Sequence, residues 1–204
     1  PLGMGDARDG MLYVPEGYDP AVPAPLLVLL HPGGDDSTFW DSAELRFNYD
    51  LNELVVLAPD SRFNTWDLVV QGAYHEDVDF LHTAIQQVFD TCNIDTTRIG
   101  IGGFSDGASE SLGIGLMNAH IFTRMAAFTP GLLSVPFRRG EPQVFYTAGV
   151  TDEIIPIQQA QDFIVPLLLR NGCEVEYHEF DGGHEIPANL LNQAIQWAAA
   201  SRLE

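Results

Sequence analysis

The stretch Gly102-Gly103-Phe104-Ser105-Asp106-Gly107 decides the fold. It follows Arg98-Ile99-Gly100-Ile101, an apolar run that reads as a buried strand. It precedes Ala108-Ser109-Glu110-Ser111-Leu112, which continues through Leu116-Met117 as a helix. A strand, a sharp turn carrying one serine between glycines, and a helix make up the G-x-S-x-G nucleophile elbow. The glycines serve a steric purpose. The serine must take a strained backbone conformation so that its hydroxyl stands clear of the sheet, and Gly103 and Gly107 let strand and helix come together. The helix behind Ser105 then aims its first N–H groups at the place where an oxyanion would form.

Outward from the elbow, strands alternate with helices. Toward the N-terminus, Pro25-Leu26-Leu27-Val28-Leu29-Leu30-His31 is apolar without alternation, as a strand buried on both faces of a parallel sheet would be. Leu54-Val55-Val56-Leu57-Ala58 repeats that pattern, and Met11-Leu12-Tyr13-Val14 is a shorter strand. Pro32-Gly33-Gly34-Asp35-Asp36-Ser37 closes into a helix N-cap, and a looser section runs from Asp60 to Gly72. Val78, Leu81, Ile85, Val88 and Phe89 fall at helical spacing, which predicts an amphipathic helix from Glu76 to Thr91. Toward the C-terminus, strands are expected at Arg124 to Thr129 and Gln143 to Ala148. Glu174 to Phe180 alternates like a strand near a sheet edge. Helices are expected from Ile157 to Arg170, stopped by Asn171-Gly172, and from Ala188 to Ala200. The pattern predicts an α/β fold with a mostly parallel sheet and helices on both faces.

With 204 residues, 46% of them hydrophobic, the chain suits one compact domain spanning 1–204. Pro1-Leu2-Gly3 ahead of Met4 and the terminal Leu203-Glu204 read as candidate cloning remnants. No run approaches the roughly 20 apolar residues of a membrane span, and no signal-peptide pattern opens the sequence, which favours the cytoplasm while leaving the compartment open. A net charge of −20, with nine arginines and no lysine, argues against nucleic acid and anionic lipid as partners. Cys92 and Cys173 lack metal-ligand spacing, and two reduced, buried thiols are the expectation ahead of a disulfide. No metal site is predicted.

A serine hydroxyl needs a base within hydrogen-bond reach, and the base needs an acid to orient it. In strand-to-helix elbows of this kind the chain order is serine, acid, histidine. Thr151-Asp152-Glu153 follows one predicted strand, and Asp181-Gly182-Gly183-His184-Glu185 follows the last. Asp152 and His184 are therefore the candidate acid and base. Glu153 and Asp181 are rivals for the acid, Asp181 lying only three residues from His184, where a turn-capping role fits better. His31, His75, His82, His120 and His178 read as structural or solvent-exposed. The oxyanion donors are expected at the backbone N–H of Asp106 and of Gly33, the latter in the loop after the first long strand. Phe39, Trp40 and Trp66 lie at the same end of the sheet and are candidates for walling a substrate pocket, with ordinary core the competing reading.

So assembled, the chain resembles the phospholipase/carboxylesterase-type α/β-hydrolases. This small lidless group includes acyl-protein thioesterases and relatives of polyhydroxyalkanoate depolymerases. The resemblance runs from Asp9-Gly10-Met11-Leu12-Tyr13-Val14-Pro15 to the C-terminus. It rests on Leu30-His31-Pro32-Gly33-Gly34, Gly102 to Ala108, Thr151-Asp152-Glu153-Ile154-Ile155-Pro156 and Gly183-His184-Glu185-Ile186-Pro187. It implies an α/β-hydrolase fold, a Ser105–Asp152–His184 triad, an oxyanion hole at Gly33 and Asp106, no cofactor, and hydrolysis of small or polymeric esters. The connection from Pro130 to Pro142 is too short for a large lid. The sequence departs from the acyl-protein thioesterases in carrying Asp106 where they have glutamine and His-Pro-Gly-Gly where they have His-Gly-Leu-Gly. The two departures weaken the thioesterase assignment, and the aspartate disfavours anionic substrates. Thioester, polyester or feruloyl-type hydrolysis stays open, as does a homodimer. A ligand-binding receptor on a hydrolase scaffold is the alternative from another class.

Overall fold

The computed structural model describes residues 1–5, 8–134 and 140–201. Among the described residues, seven strands form one sheet in the order β1-β3-β2-β4-β5-β6-β7. They are β1 (Gly10–Tyr13), β2 (Ala24–Leu30), β3 (Val55–Pro59), β4 (Ile94–Phe104), β5 (Arg124–Phe128), β6 (Gln143–Gly149) and β7 (Glu174–Phe180). Only β1 runs antiparallel, pairing with β3 at one edge. The helices are α1 (Ala43–Leu51), α2 (Asp67–Gln71), α3 (Glu76–Thr91), α4 (Asp106–Met117), α5 (Val165–Arg170) and α6 (Ala188–Ala199).

All seven residues of β2 are buried, and successive side chains serve opposite layers. Leu26, Val28 and Leu30 join α3, α4 and α5 through Ala84, Val88, Leu112 and Leu168. Leu27 and Leu29 join α1 and α6 through Leu45, Tyr49, Leu190 and Ile195. The continuous apolar run thus feeds two cores at once. β7 alternates because it closes the free edge.

Several local details differ from expectation. β4 begins at Ile94, four residues early, because Ile94 pairs with Ala24 across a register shift. The Asp60–Gly72 section holds the short helix α2, ended by Gly72 in the left-handed conformation at φ 69°. After Ser37 come a 3₁₀ turn to Trp40 and then α1, whose first turn is capped by the Ser42 hydroxyl accepting from the Leu45 N–H. The predicted Ile157–Arg170 helix widens into π-helical turns over Gln159–Ile164 before α5. Pro166 lacks an N–H, and its ring crowds the carbonyl four residues back, which explains a wider ladder there.

Leu2 is 5% exposed and packs in the larger core, with Met4 partly buried against it. Leu203-Glu204 and, within the Pro130–Pro142 connection, residues 135–139 lie outside the described residues. Cys92 and Cys173 are buried thiols. Among the described residues, no helix is long and apolar enough to cross a membrane.

Candidate active site

The chain winds from β2 to β3 in one direction and returns to place β4 on β2's other side. Where the winding reverses lies the place, beyond the carboxyl ends of the strands, at which open sheets of this kind bind ligands. The loop after β2 and the turn after β4 flank it. Ser105 sits in that turn at φ 55°, ψ −116°, a conformation costly for a residue with a side chain. Added Cβ atoms at Gly103 and Gly107 would come within 2.7 Å and 2.3 Å of the Leu30 carbonyl oxygen. The elbow is therefore pressed against the end of β2, and only glycine permits it.

His184 bridges two partners. Its Nδ1 lies 2.7 Å from Asp152 Oδ2, and its Nε2 lies 2.9 Å from Ser105 Oγ. A carboxylate oxygen accepts, so Nδ1 donates, and Nε2 is left to accept from the serine hydroxyl. The other oxygen of Asp152 accepts from the N–H groups of Ile154 and Ile155, each at 2.8 Å. The Asp152 side chain is 1% exposed and the His184 side chain 14%. Glu153 and Asp181, the rival acids, are exposed. The acid and histidine loops are also tied by backbone bonds, Val150 N–H to Phe180 O and Thr151 N–H to Gly182 O.

The loop after β2 is braced from below. His31 is fully buried, donates from Nδ1 to the Pro32 carbonyl, and accepts at Nε2 from the Ser61 N–H. Burial holds its imidazole below the usual histidine range. The Trp66 indole N–H donates to the His31 carbonyl at 2.8 Å, and the two rings lie 4.7 Å apart. Gly33 is exposed, and among the described residues its N–H donates to no protein acceptor. Asp106 opens α4, where the first N–H groups have no intrahelical partner. Gly33 and Asp106, the two residues expected to supply oxyanion donors, are thus neighbours across the two loops.

The aromatic expectations need correction. Trp40 is 0% exposed and Trp66 2%, so both are core rather than pocket wall. Trp40 belongs to the α1/α6 layer, where the Tyr49 hydroxyl donates to its carbonyl. Phe39 is half-buried and stacks on Phe104, whose ring in turn lies 4.9 Å from that of His184. Phe104 is assigned no role in the sequence analysis. Nor is Thr65 singled out there; its hydroxyl donates to Asp106 Oδ2 at 2.7 Å. No local pattern marks a threonine that acts 41 residues away.

Behind the elbow lies a buried acidic group. Glu110 Oε2 accepts from the Leu68 N–H, whereas its Oε1 has no partner among the described residues. Burial, then the neighbouring Asp77 charge, pushes the Glu110 pKa up to about 8. Asp67 and Asp77 each accept the other's backbone N–H, at 2.7 and 2.8 Å.

A hydroxyl on a strained elbow, hydrogen-bonded to an imidazole that is oriented by a buried carboxylate, set on this sheet, defines an α/β-hydrolase fold. The comparisons with known proteins agree. FphF, a fluorophosphonate-binding serine hydrolase of Staphylococcus aureus, superposes at a TM-score of 0.75 with 16% identity, over 95% of this chain and 93% of its own. Feruloyl esterase C of Emericella nidulans is 25% identical over 179 residues, 83% of this chain and 64% of that protein. A bifunctional acetylxylan esterase/xylanase of Neocallimastix patriciarum is 28% identical over 177 residues, 79% of this chain. The chain therefore spans 64% of the length of the first of these relatives and 24% of the second. No family model matches.

Proposed function

We propose that this chain is a serine hydrolase of carboxylic esters. The observation that carries the reading is the double contact of His184, 2.9 Å to Ser105 Oγ and 2.7 Å to Asp152. Ser105 Oγ attacks the ester carbonyl as His184 Nε2 takes its proton. The carbonyl oxygen becomes an oxyanion held by the Gly33 and Asp106 amides, a type of contact in which one lost donor costs roughly 10²–10³ in rate. The imidazolium, supported by Asp152, returns the proton to the departing alcohol. Water then attacks the acyl-enzyme with the same base, releasing the acid and restoring Ser105. No step calls for a metal or organic cofactor.

Two esterase relatives, one named for feruloyl and one for acetylxylan esters, favour oxygen esters over thioesters. The decisive assay is release of p-nitrophenol from acetyl and longer acyl esters by the wild type and by Ser105→Ala, with a fluorophosphonate label alongside. Turnover and labelling confined to the wild type are expected. Equal turnover by both proteins would overturn the assignment of Ser105.

A further inference from the structure

We infer that the Asp106 side chain, held by Thr65, sets the spacing between the two oxyanion amides. This inference rests on the ester-hydrolase reading above. The two residues whose backbone N–H groups are assigned to the oxyanion are Gly33 and Asp106, and these residues touch through a side chain. An ideal Cβ on Gly33 would fall 2.3 Å from Asp106 Oδ2 and 3.4 Å from Thr65 Oγ1. A carboxylate oxygen therefore lies directly on the bare Cα face of Gly33. That same Oδ2 accepts the Thr65 hydroxyl proton at 2.7 Å. A second tie lies one residue along, where the Gly34 N–H donates to the Asn64 carbonyl at 2.8 Å.

Three loops thus meet at one oxygen atom: the loop after β2 through Gly33, the segment after β3 through Thr65, and the elbow through Asp106. Residue 106 gives its backbone to one donor position and its side chain to the placement of the other. An oxyanion hole acts by donors fixed before the charge develops, so an error of a few tenths of an ångström between two amides reaches the transition state more than the bound ester. The arrangement also explains glycine at 33. A side chain there would evict the carboxylate and loosen the loop. It also places the Asp106 charge, since one of its oxygens is turned onto Thr65 and Gly33. Thr65 and the Asp106 carboxylate are positioning residues in this scheme, acting through the two amides.

The test is steady-state hydrolysis of p-nitrophenyl acetate by wild type, Thr65→Val, Thr65→Ser and Asp106→Ala, with thermal unfolding of each. Thr65→Val keeps shape and loses the donor, so kcat is expected to fall about tenfold or more with KM nearly constant. Thr65→Ser keeps the hydroxyl and restores kcat. Asp106→Ala falls at least as far. Gly33→Ala costs much in the wild type and little more once Asp106→Ala is present, because the two changes break one contact. Wild-type kcat in Thr65→Val and Asp106→Ala would overturn the inference. So would parallel changes in kcat, KM and unfolding temperature that Thr65→Ser fails to rescue, the signature of general support. Absence of turnover and of phosphonate labelling in the wild type itself would overturn the hydrolase reading, and this inference with it.

Discussion

The Phe104 ring lies 4.9 Å from the His184 ring at an interplanar angle of 31°. The last residue of the nucleophile strand therefore backs the imidazole that its neighbour Ser105 contacts. Phe39 stacks behind Phe104 at 5.8 Å and 13°, giving three rings in series. Phe104→Leu keeps much of the buried volume and removes the flat face. We expect kcat to drop roughly tenfold while stability falls by about 1 kcal/mol, as for a volume-conserving core swap. Kinetics and urea unfolding on one preparation check this, and an activity loss no larger than the stability loss predicts would contradict it.

Asp152→Asn probes the orientation of His184. In the native protein one Asp152 oxygen serves two backbone N–H groups and the other serves His184. An asparagine has one acceptor oxygen, so it satisfies either the loop or the histidine. Loss of kcat on the order of 10³-fold or more is expected, with the fold retained. Circular dichroism alongside kinetics separates the two effects.

Two buried groups give stability opposite pH slopes. Glu110 has its folded pKa raised from 4.5 to about 8, so its contribution is full in acid and is lost as pH climbs through about 8. His31 has its folded pKa lowered from 6.5, so its contribution is full above pH 6.5 and is lost as pH falls below it. The Glu110→Gln protein should therefore gain on the wild type in unfolding free energy between pH 5 and pH 8, by an amount on the order of kcal/mol. Denaturant unfolding across that range measures it. A constant difference between the two proteins would place the charge elsewhere.

Trp66→Phe keeps the ring against His31 and removes the indole N–H that donates to the His31 carbonyl. A cost of about 1–2 kcal/mol follows from leaving that acceptor unpaired. Changed acyl-chain preference in this variant would restore Trp66 to the pocket wall, against its 2% exposure.

The parts of the candidate site legible in the sequence are those carried by the strands. Unbroken apolar runs marked β2 and β3, a shorter run marked the second half of β4, and residues just past strand ends supplied the candidates Ser105, Asp152, His184 and Gly33. α3 showed itself through Val78, Leu81, Ile85 and Val88, because an amphipathic helix writes its period into the chain. What escaped depends on contacts between distant segments. The Thr65 hydroxyl matters because α4 brings Asp106 to it. Trp40 and Trp66 looked like pocket aromatics because both sit near the right end of the sheet, yet sidedness there is set by packing against Phe128 and His31. α2 has only five residues, too few for periodicity to declare itself.

The site is divided between the middle of the sheet and its margin. Ser105 follows β4, flanked by strands on both sides, whereas His184 follows β7, the free edge. Marginal strands open at lower free energy than central ones. The proposed site should therefore fail on warming by losing His184 first, with Ser105 still in place. Turnover is expected to decay several degrees below the cooperative melt and to return on cooling, so enzymatic activity and ellipticity followed on one heating ramp should trace two curves.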